Sequence, residues 1–226
     1  MSAAQKLVVA IDGPAGSGKS TIAARLAKKL GYVNLESGAM YRALALKALE
    51  QQVSVDDADA LRHLADSTVI QLDPQPEGNR VLLDGRDVSQ RIRESDVTLA
   101  ASRVSTHPPV RQIMVARQRE MGARGGVVME GRDIGTAVFP QADVKIFLDA
   151  DARIRAERRV AQNGTHTPEE AQRIVEDLVL RDQRDRTRAT SPLVAAPDAV
   201  ILDTTYLSID EVVAQVEQLA LAKLGQ

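Results

Sequence analysis

The chain has 226 residues, with 29 basic and 31 acidic side chains, three histidines and no cysteine. The missing cysteines exclude a disulfide scaffold, a thiolate metal site and a thiol nucleophile. A net charge of -2 leaves no excess for tracking a nucleic-acid backbone or an acidic membrane, and 2% aromatics are too few for base-stacking platforms.

In chain order, Lys6–Asp12 (KLVVAID) is a near-continuous apolar run, as in a strand buried on both faces of a parallel sheet. After a glycine-rich turn, Ile22, Ala23, Leu26, Ala27 and Leu30 recur at helical spacing, which predicts a helix over Lys19–Leu30 closed by Gly31. Tyr32–Leu35 reads as a short second strand. Ser37 is placed to cap a helix running to about Gln51, and Ser54-Val-Asp-Asp57 to open another. Val69–Asp73 and Arg80–Asp84 are β-rich and joined by a turn-forming stretch from Pro74 to Asn79, which predicts a small antiparallel insertion.

Pro108-Pro109 starts a helix whose Val110, Met114 and Met121 face a core. Val127–Met129 and Val144–Leu148 are two further short strands. Thr167-Pro-Glu-Glu170 combines an N-cap threonine, a first-turn proline and a capping-box glutamate. Ala199–Leu202 is the last strand, and Ser208-Ile-Asp-Glu211 is a capping box for a C-terminal helix.

Strands alternating with helices predict an α/β fold, a parallel sheet covered on both faces. At about 150 residues per domain the length suits a single domain. Two stretches interrupt the alternation, roughly residues 37–110 and 151–190. Apolar runs fall well short of the ~18–20 residues of a membrane span, and no apolar stretch of signal-peptide type follows Met1–Leu7. The expected setting is therefore the cytoplasm, with no membrane partner. His63, His107 and His166 share no metal-ligand spacing.

Gly13-Pro-Ala-Gly-Ser-Gly18-Lys19-Ser20 matches G-x-x-x-x-G-K-[ST] in full, between a strand and a helix as that motif requires. Its glycines let successive N–H groups turn toward phosphate oxygens, and the helix N-terminus adds roughly half a positive charge. The expected triphosphate-binding residues are Gly13, Pro14, Ala15, Gly16, Ser17, Gly18, Lys19, Ser20 and Thr21. Lys19 reaches the β- and γ-phosphates, and the Ser20 hydroxyl is the candidate ligand of Mg²⁺.

Triphosphate binding leaves two classes open: a phosphotransferase, and a switch or motor that hydrolyses the nucleotide. The Asn-Lys-x-Asp of a guanine-specific switch is absent. Val144–Asp149 suits the acidic strand of a motor, but Ala150-Asp151 follows where a catalytic glutamate would stand, and an ordinary sheet strand explains it equally well. Arginines at loop and helix-end positions favour a kinase, which must neutralise several phosphates at once.

Ser37-Gly-Ala-Met-Tyr-Arg42, Gly131-Arg-Asp-Ile-Gly-Thr136 and Arg181-Asp-Gln-Arg-Asp-Arg-Thr-Arg188, in this order after the phosphate loop, resemble the bacterial cytidylate kinase family. The likeness runs from about Val8 to about Lys223. It implies the nucleoside-monophosphate kinase fold: a five-stranded parallel sheet flanked by helices (1–36, 111–150 and 191–226), a monophosphate-binding insertion (37–110) and a helical lid (151–190). Glu36 and Glu130 stand where the family commonly has Asp; both keep the charge on a longer arm.

By this resemblance the reaction is γ-phosphoryl transfer from ATP, with Mg²⁺, to CMP and dCMP, by a monomer. A kinase for UMP or AMP, or a regulatory ATPase, is the alternative. Arg42 addresses the acceptor phosphate, and Ser37 is a further substrate-binding residue, although it serves equally as a helix cap. Asp133 accepts from the cytosine amine, a pairing that acidic residues use elsewhere; bracing Arg132 would be its structural role. Ser102 and Arg111 complete the base pocket. Arg181 and Asp185 address the ribose, Arg188 the acceptor phosphate and Arg158 the donor triphosphate. Lys19, Arg132, Arg181 and Arg188 form the catalytic set. Arg181, Arg184 and Arg188 recur at i, i+3 and i+7, which predicts one helix face.

Overall fold

The computed structural model describes residues 6–75, 78–164 and 167–225. The chain opens with β1 (Val8–Asp12), α1 (Lys19–Leu30), β2 (Val33–Glu36) and α2 (Ser37–Glu50). An insertion follows: α3 (Ala58–Asp66), the short strands β3 (Ile70–Gln75), β4 (Gly78–Leu83) and β5 (Arg86–Asp87), then α4 (Ser95–Val104). The remainder is α5 (Pro108–Gly122), β6 (Val127–Gly131), β7 (Val144–Asp149), α6 (Ala152–Asn163), α7 (Pro168–Thr187), β8 (Val200–Asp203) and α8 (Ile209–Leu224).

The five strands read as parallel form one sheet in the order β2-β6-β1-β7-β8, every neighbouring pair parallel. β1 is central, which is why its run is apolar on both faces. Leu7, Val9 and Ile11 pack with Ile22 and Leu26 of α1 and Val212 and Val216 of α8. Ala10 packs on the opposite face with Leu35, Met129 and Ile134. A separate core forms around α2, whose Ala43, Leu44, Ala45 and Leu46 are buried with Leu61, Leu83, Val97, Val110 and Met114. α5 thus contributes to the core of the insertion.

Local signals resolve with a few shifts. Gly31 closes α1 at φ 66°, Thr167 caps α7 through the Glu170 N–H, and Ser208 and Glu211 form the capping box of α8. Asp57, rather than Ser54, caps α3 by accepting the Ala60 N–H at 3.0 Å. Ser37 is not a cap either. Glu36 precedes α2 without a side-chain cap, and the Ser37 hydroxyl instead donates to the Glu130 carbonyl at 2.7 Å. In the small sheet, Pro74 pairs with Asn79 and Gln75 with Gly78, so most of the expected turn is ladder; Pro76 and Glu77 lie outside the described residues. β5 had no strand signal of its own, but it follows Asp84-Gly85, both at positive φ as a two-residue hairpin turn requires.

Candidate active site

At the C-terminal ends of β1, β2 and β6 lies a cleft of about 600 Å³ closed on its far sides by α4 and α7. Open α/β sheets bind ligands at this edge. Nine lysine or arginine side chains and five carboxylates line it, four positive charges in excess on a chain of net charge -2. The field is local to the cleft.

At the phosphate loop, Gly18 precedes α1 at φ 91° with no side-chain cap, and the first turn carries no acidic residue. The N–H groups of that turn are left for an anion. A Cβ on Gly18 would meet nothing within 4 Å, so the backbone angle, and not crowding, calls for glycine there. Lys19 is buried and donates to the Pro14 carbonyl (2.6 Å) and the Ser17 hydroxyl (3.3 Å). Burial, and then the neighbouring Arg132, push its pKa down to about 7. The Ser20 hydroxyl donates to Glu130 Oε1 at 2.9 Å. Burial and the adjacent Glu36 hold the Glu130 carboxyl above the usual carboxylate range. The acid that reaches Ser20 thus comes from the penultimate residue of β6, whereas the Asp149 carboxylate at the end of β7 accepts, among the described residues, only the next N–H, that of Ala150.

A lysine of depressed pKa regains its proton when an anion arrives. Triphosphate binding is therefore expected to take up most of one proton at pH 8, where a base of pKa about 7 is mainly neutral, and little at pH 6. Calorimetry in two buffers of different ionisation enthalpy measures this directly. Equal heats in both buffers at pH 8 would contradict it.

Glu36 and Glu130 face each other in register across β2 and β6. Glu36 accepts from Arg42 (2.5 Å) and from Arg93 (3.2 Å), and these arginines, against burial, hold its pKa below the ordinary carboxylate value. Further in, Arg111 lies 5.6 Å from the Tyr41 ring centroid and donates to Asp133. Arg188 stands 3.5 Å from the other Asp133 oxygen. The Ser102 hydroxyl is buried beside them without a partner among the described residues. Behind this group Asp12 accepts the N–H groups of Ile134 (2.8 Å) and Gly135 (2.7 Å), fixing the π-helical turn Ile134–Val138 that follows Asp133. Burial pushes the Asp12 carboxyl up to about 6.

Arg132 does not pair with Asp133. Its Nε donates to Asp185 at 2.8 Å, so these sequence neighbours part to different partners. Arg181 makes no ion pair among the described residues, and burial together with Arg132 brings its pKa down to about 10. Arg188 leaves the expected helix face, because α7 ends at Thr187 and Arg188 follows at ψ 140°, its Nε donating to the Ser191 carbonyl at 2.6 Å. That break lets it turn back toward Asp133. Arg158 is bound to the Thr204 hydroxyl (3.1 Å) and carbonyl (2.6 Å), outside the cleft lining; the arginine of α6 that lines the cleft is its neighbour Arg159. Composition and spacing did not single out Arg159, Arg93 or Tyr41.

Arg188 is buried in the cleft, whereas Arg173 is exposed on an early turn of α7. Arg188→Ala is accordingly expected to lower kcat/KM for the acceptor by at least ~10-fold, and Arg173→Ala to change it less than about 2-fold. Equal losses in steady-state assays of the two variants would mean that lid arginines act only as general surface charge.

The family profile described as cytidylate kinase matches residues 9–222. The cytidylate kinase of Geobacillus kaustophilus is 48% identical over 222 residues, covering 98% of this chain and 99% of the relative. That of Anoxybacillus flavithermus is 49% identical over 94% of this chain and 95% of its own, and that of Solibacter usitatus 51% identical over 92% and 89%. With a full phosphate loop, a five-stranded parallel sheet and a match over nearly its whole length, the chain belongs to the cytidylate kinase family.

Proposed function

We propose that this cleft transfers the γ-phosphoryl of ATP to CMP, and to dCMP, giving ADP and the nucleoside diphosphate. One observation carries the reading. Of eight buried side-chain polar atoms without a hydrogen bond among the described residues, five belong to cleft residues: Tyr41 Oη, Arg42 Nε, Ser102 Oγ, Arg111 Nε and the Arg188 terminal nitrogen that stands 3.5 Å from Asp133. Each such group left bare costs about 1–3 kcal/mol. A bound acceptor nucleotide would satisfy them together.

The base chemistry points to cytosine. Arg111, a donor, stands against Asp133, an acceptor, on one wall. Cytosine presents the complementary pair, an amine donor beside a ring-nitrogen acceptor. Uracil presents the reverse and would set acceptor against acceptor.

Ser20 and Glu130 are hard oxygen donors beside the phosphate loop, and no cluster of three or more acidic or histidine ligands occurs among the described residues. This set suits Mg²⁺, which prefers one or two protein oxygens together with substrate phosphates. When bound, the ion supplies charge neutralisation between phosphates. The acceptor phosphate is already an anionic nucleophile near neutral pH, so no strong base is needed. Lys19 and Arg132 stabilise charge on the transferring group, Arg42 and Arg188 hold the acceptor phosphate, and Arg181 and Asp185 hold its ribose. Closure of the lid would exclude water, which otherwise hydrolyses an exposed γ-phosphate. Every residue this chemistry requires lies in one chain, which fits a monomer.

A coupled ADP-release assay with ATP and CMP, dCMP, UMP or AMP in turn tests the reading. Turnover is expected with CMP and dCMP and to be at least ~10-fold weaker with UMP and AMP. ATP hydrolysis that ignores the acceptor would identify a regulatory ATPase instead.

A further inference from the structure

Both lid helices rest on the tip of the phosphate loop. Ala15 is buried in a small apolar cluster with Ala156 of α6 and Leu178 of α7, so one loop residue touches both helices. Polar contacts converge on the same residue. Asp182 accepts the Ala15 N–H at 3.3 Å, and Arg155 donates to the Ala15 carbonyl at 3.0 Å. Arg155 and Asp182 also pair with each other, their side chains 8% and 12% exposed. Arg155 donates to the Ala150 carbonyl at 3.0 Å as well. At Gly16 a Cβ would sit 2.8 Å from the Arg155 carbonyl, so the loop and α6 are in backbone contact.

A buried ion pair is weak evidence of stability, since apolar residues of similar volume often serve as well. What this pair supplies is direction. Arg181 and Asp185 line the cleft from the same turn of α7, and Asp185 holds Arg132. Asp182, between them in sequence, faces away from the cleft and onto the loop. One helical turn therefore grips the donor loop on one side and the acceptor site on the other.

We infer that Arg155 and Asp182 are positioning residues through which the triphosphate and monophosphate sites strengthen one another. A triphosphate that orders the Ala15–Gly16 peptide fixes Asp182, and with it the turn carrying Arg181 and Asp185. The coupling is reciprocal by thermodynamic necessity. The inference rests on the ATP and CMP reading above.

Titration calorimetry of CMP, with and without a saturating non-hydrolysable ATP analogue, tests it. The wild type is expected to bind CMP at least about 5-fold more tightly with the analogue present. In Asp182→Asn, CMP affinity without the analogue should stay within about 3-fold of wild type while the enhancement falls below about 2-fold. Should that variant not fold, the pair Arg155→Met with Asp182→Leu removes both buried charges and is expected to lose the enhancement equally. No enhancement in the wild type, or enhancement kept in a folded variant, overturns the inference. So does a large loss of CMP affinity without the analogue, the mark of a merely structural role. Failure of the wild type to bind either ligand would overturn the kinase reading instead.

Discussion

Replacing Lys19 by alanine is expected to lower kcat by at least ~10²–10³-fold, the usual loss when one preorganised charge-stabilising group is removed. The free protein shows why the loss should be catalytic and not structural. Lys19 makes two hydrogen bonds, to Pro14 and Ser17, both inside the phosphate loop. Each contributes about 0.5–1.5 kcal/mol. Against that loss stands the relief of a buried cation placed beside Arg132, the situation that brings its pKa down to about 7. The two effects oppose each other, so the melting temperature should change by only a few degrees while turnover collapses. The proton uptake expected on triphosphate binding at pH 8 should vanish with it. A folded Lys19→Ala protein with near-normal turnover would remove the phosphate loop from the mechanism.

The phosphate loop was legible because its geometry is local. A strand, a glycine turn and a helix contiguous in sequence make it, and each leaves its own periodicity. The ends of the strands were less legible, for a reason that bears on function. Apolar runs suggested that β2 stops at Leu35, β6 at Met129, β7 at Leu148 and β8 at Leu202. The ladders continue through Glu36, Gly131, Asp149 and Asp203. Backbone pairing does not require apolar side chains, and at the C-terminal edge of such a sheet side chains face a ligand crevice and not a core. Glu130 and Glu36 sit where the apolar criterion fails. A polar residue directly after a buried run, in a strand that must end at this edge, is the signal that marks them.

The resemblance grouped Asp133 with Ser102 and Arg111, and Arg132 with Arg181 and Arg188, but which side chain pairs with which was not legible. Nothing local tells Arg132 to choose Asp185 over the adjacent Asp133, or Arg188 to leave its helix one residue early. Burial decides both. Asp133 already has Arg111 and Arg188, and Asp185 would otherwise be a nine-tenths-buried carboxylate short of counter-charge. The single helix face expected for Arg181, Arg184 and Arg188 gives way at Arg188 for the same reason. Arg188 is more useful inside, against Asp133, than on the exposed continuation of α7.

Asp133→Asn carries the other large effect, on the choice of base. In the wild type the carboxylate faces Arg111 and the cleft, an acceptor suited to the cytosine amine and mismatched to the uracil carbonyl. A mispaired buried polar group costs about 1–3 kcal/mol, and more when charged, so kcat/KM for CMP should exceed that for UMP by at least ~10-fold to 10²-fold. In the variant, Arg111 still needs an acceptor and will orient the amide oxygen toward itself. The amide nitrogen then takes the place of the oxygen that faces Arg188 and the cleft, a donor suited to uracil O4 and opposed both to the cytosine amine and to Arg188. The CMP:UMP ratio should collapse, mainly through loss of CMP. Stability should fall as well, because Arg111 and Arg188 lose a shared counter-charge while both stay 2% exposed. That second effect makes the ratio, and not the absolute rate, the decisive quantity. Measured as kcat/KM for both acceptors with both proteins, an equal loss for CMP and UMP would reduce Asp133 to an anchor for the two arginines. Base recognition would then pass to Ser102, whose buried hydroxyl has no partner among the described residues, and to Arg111.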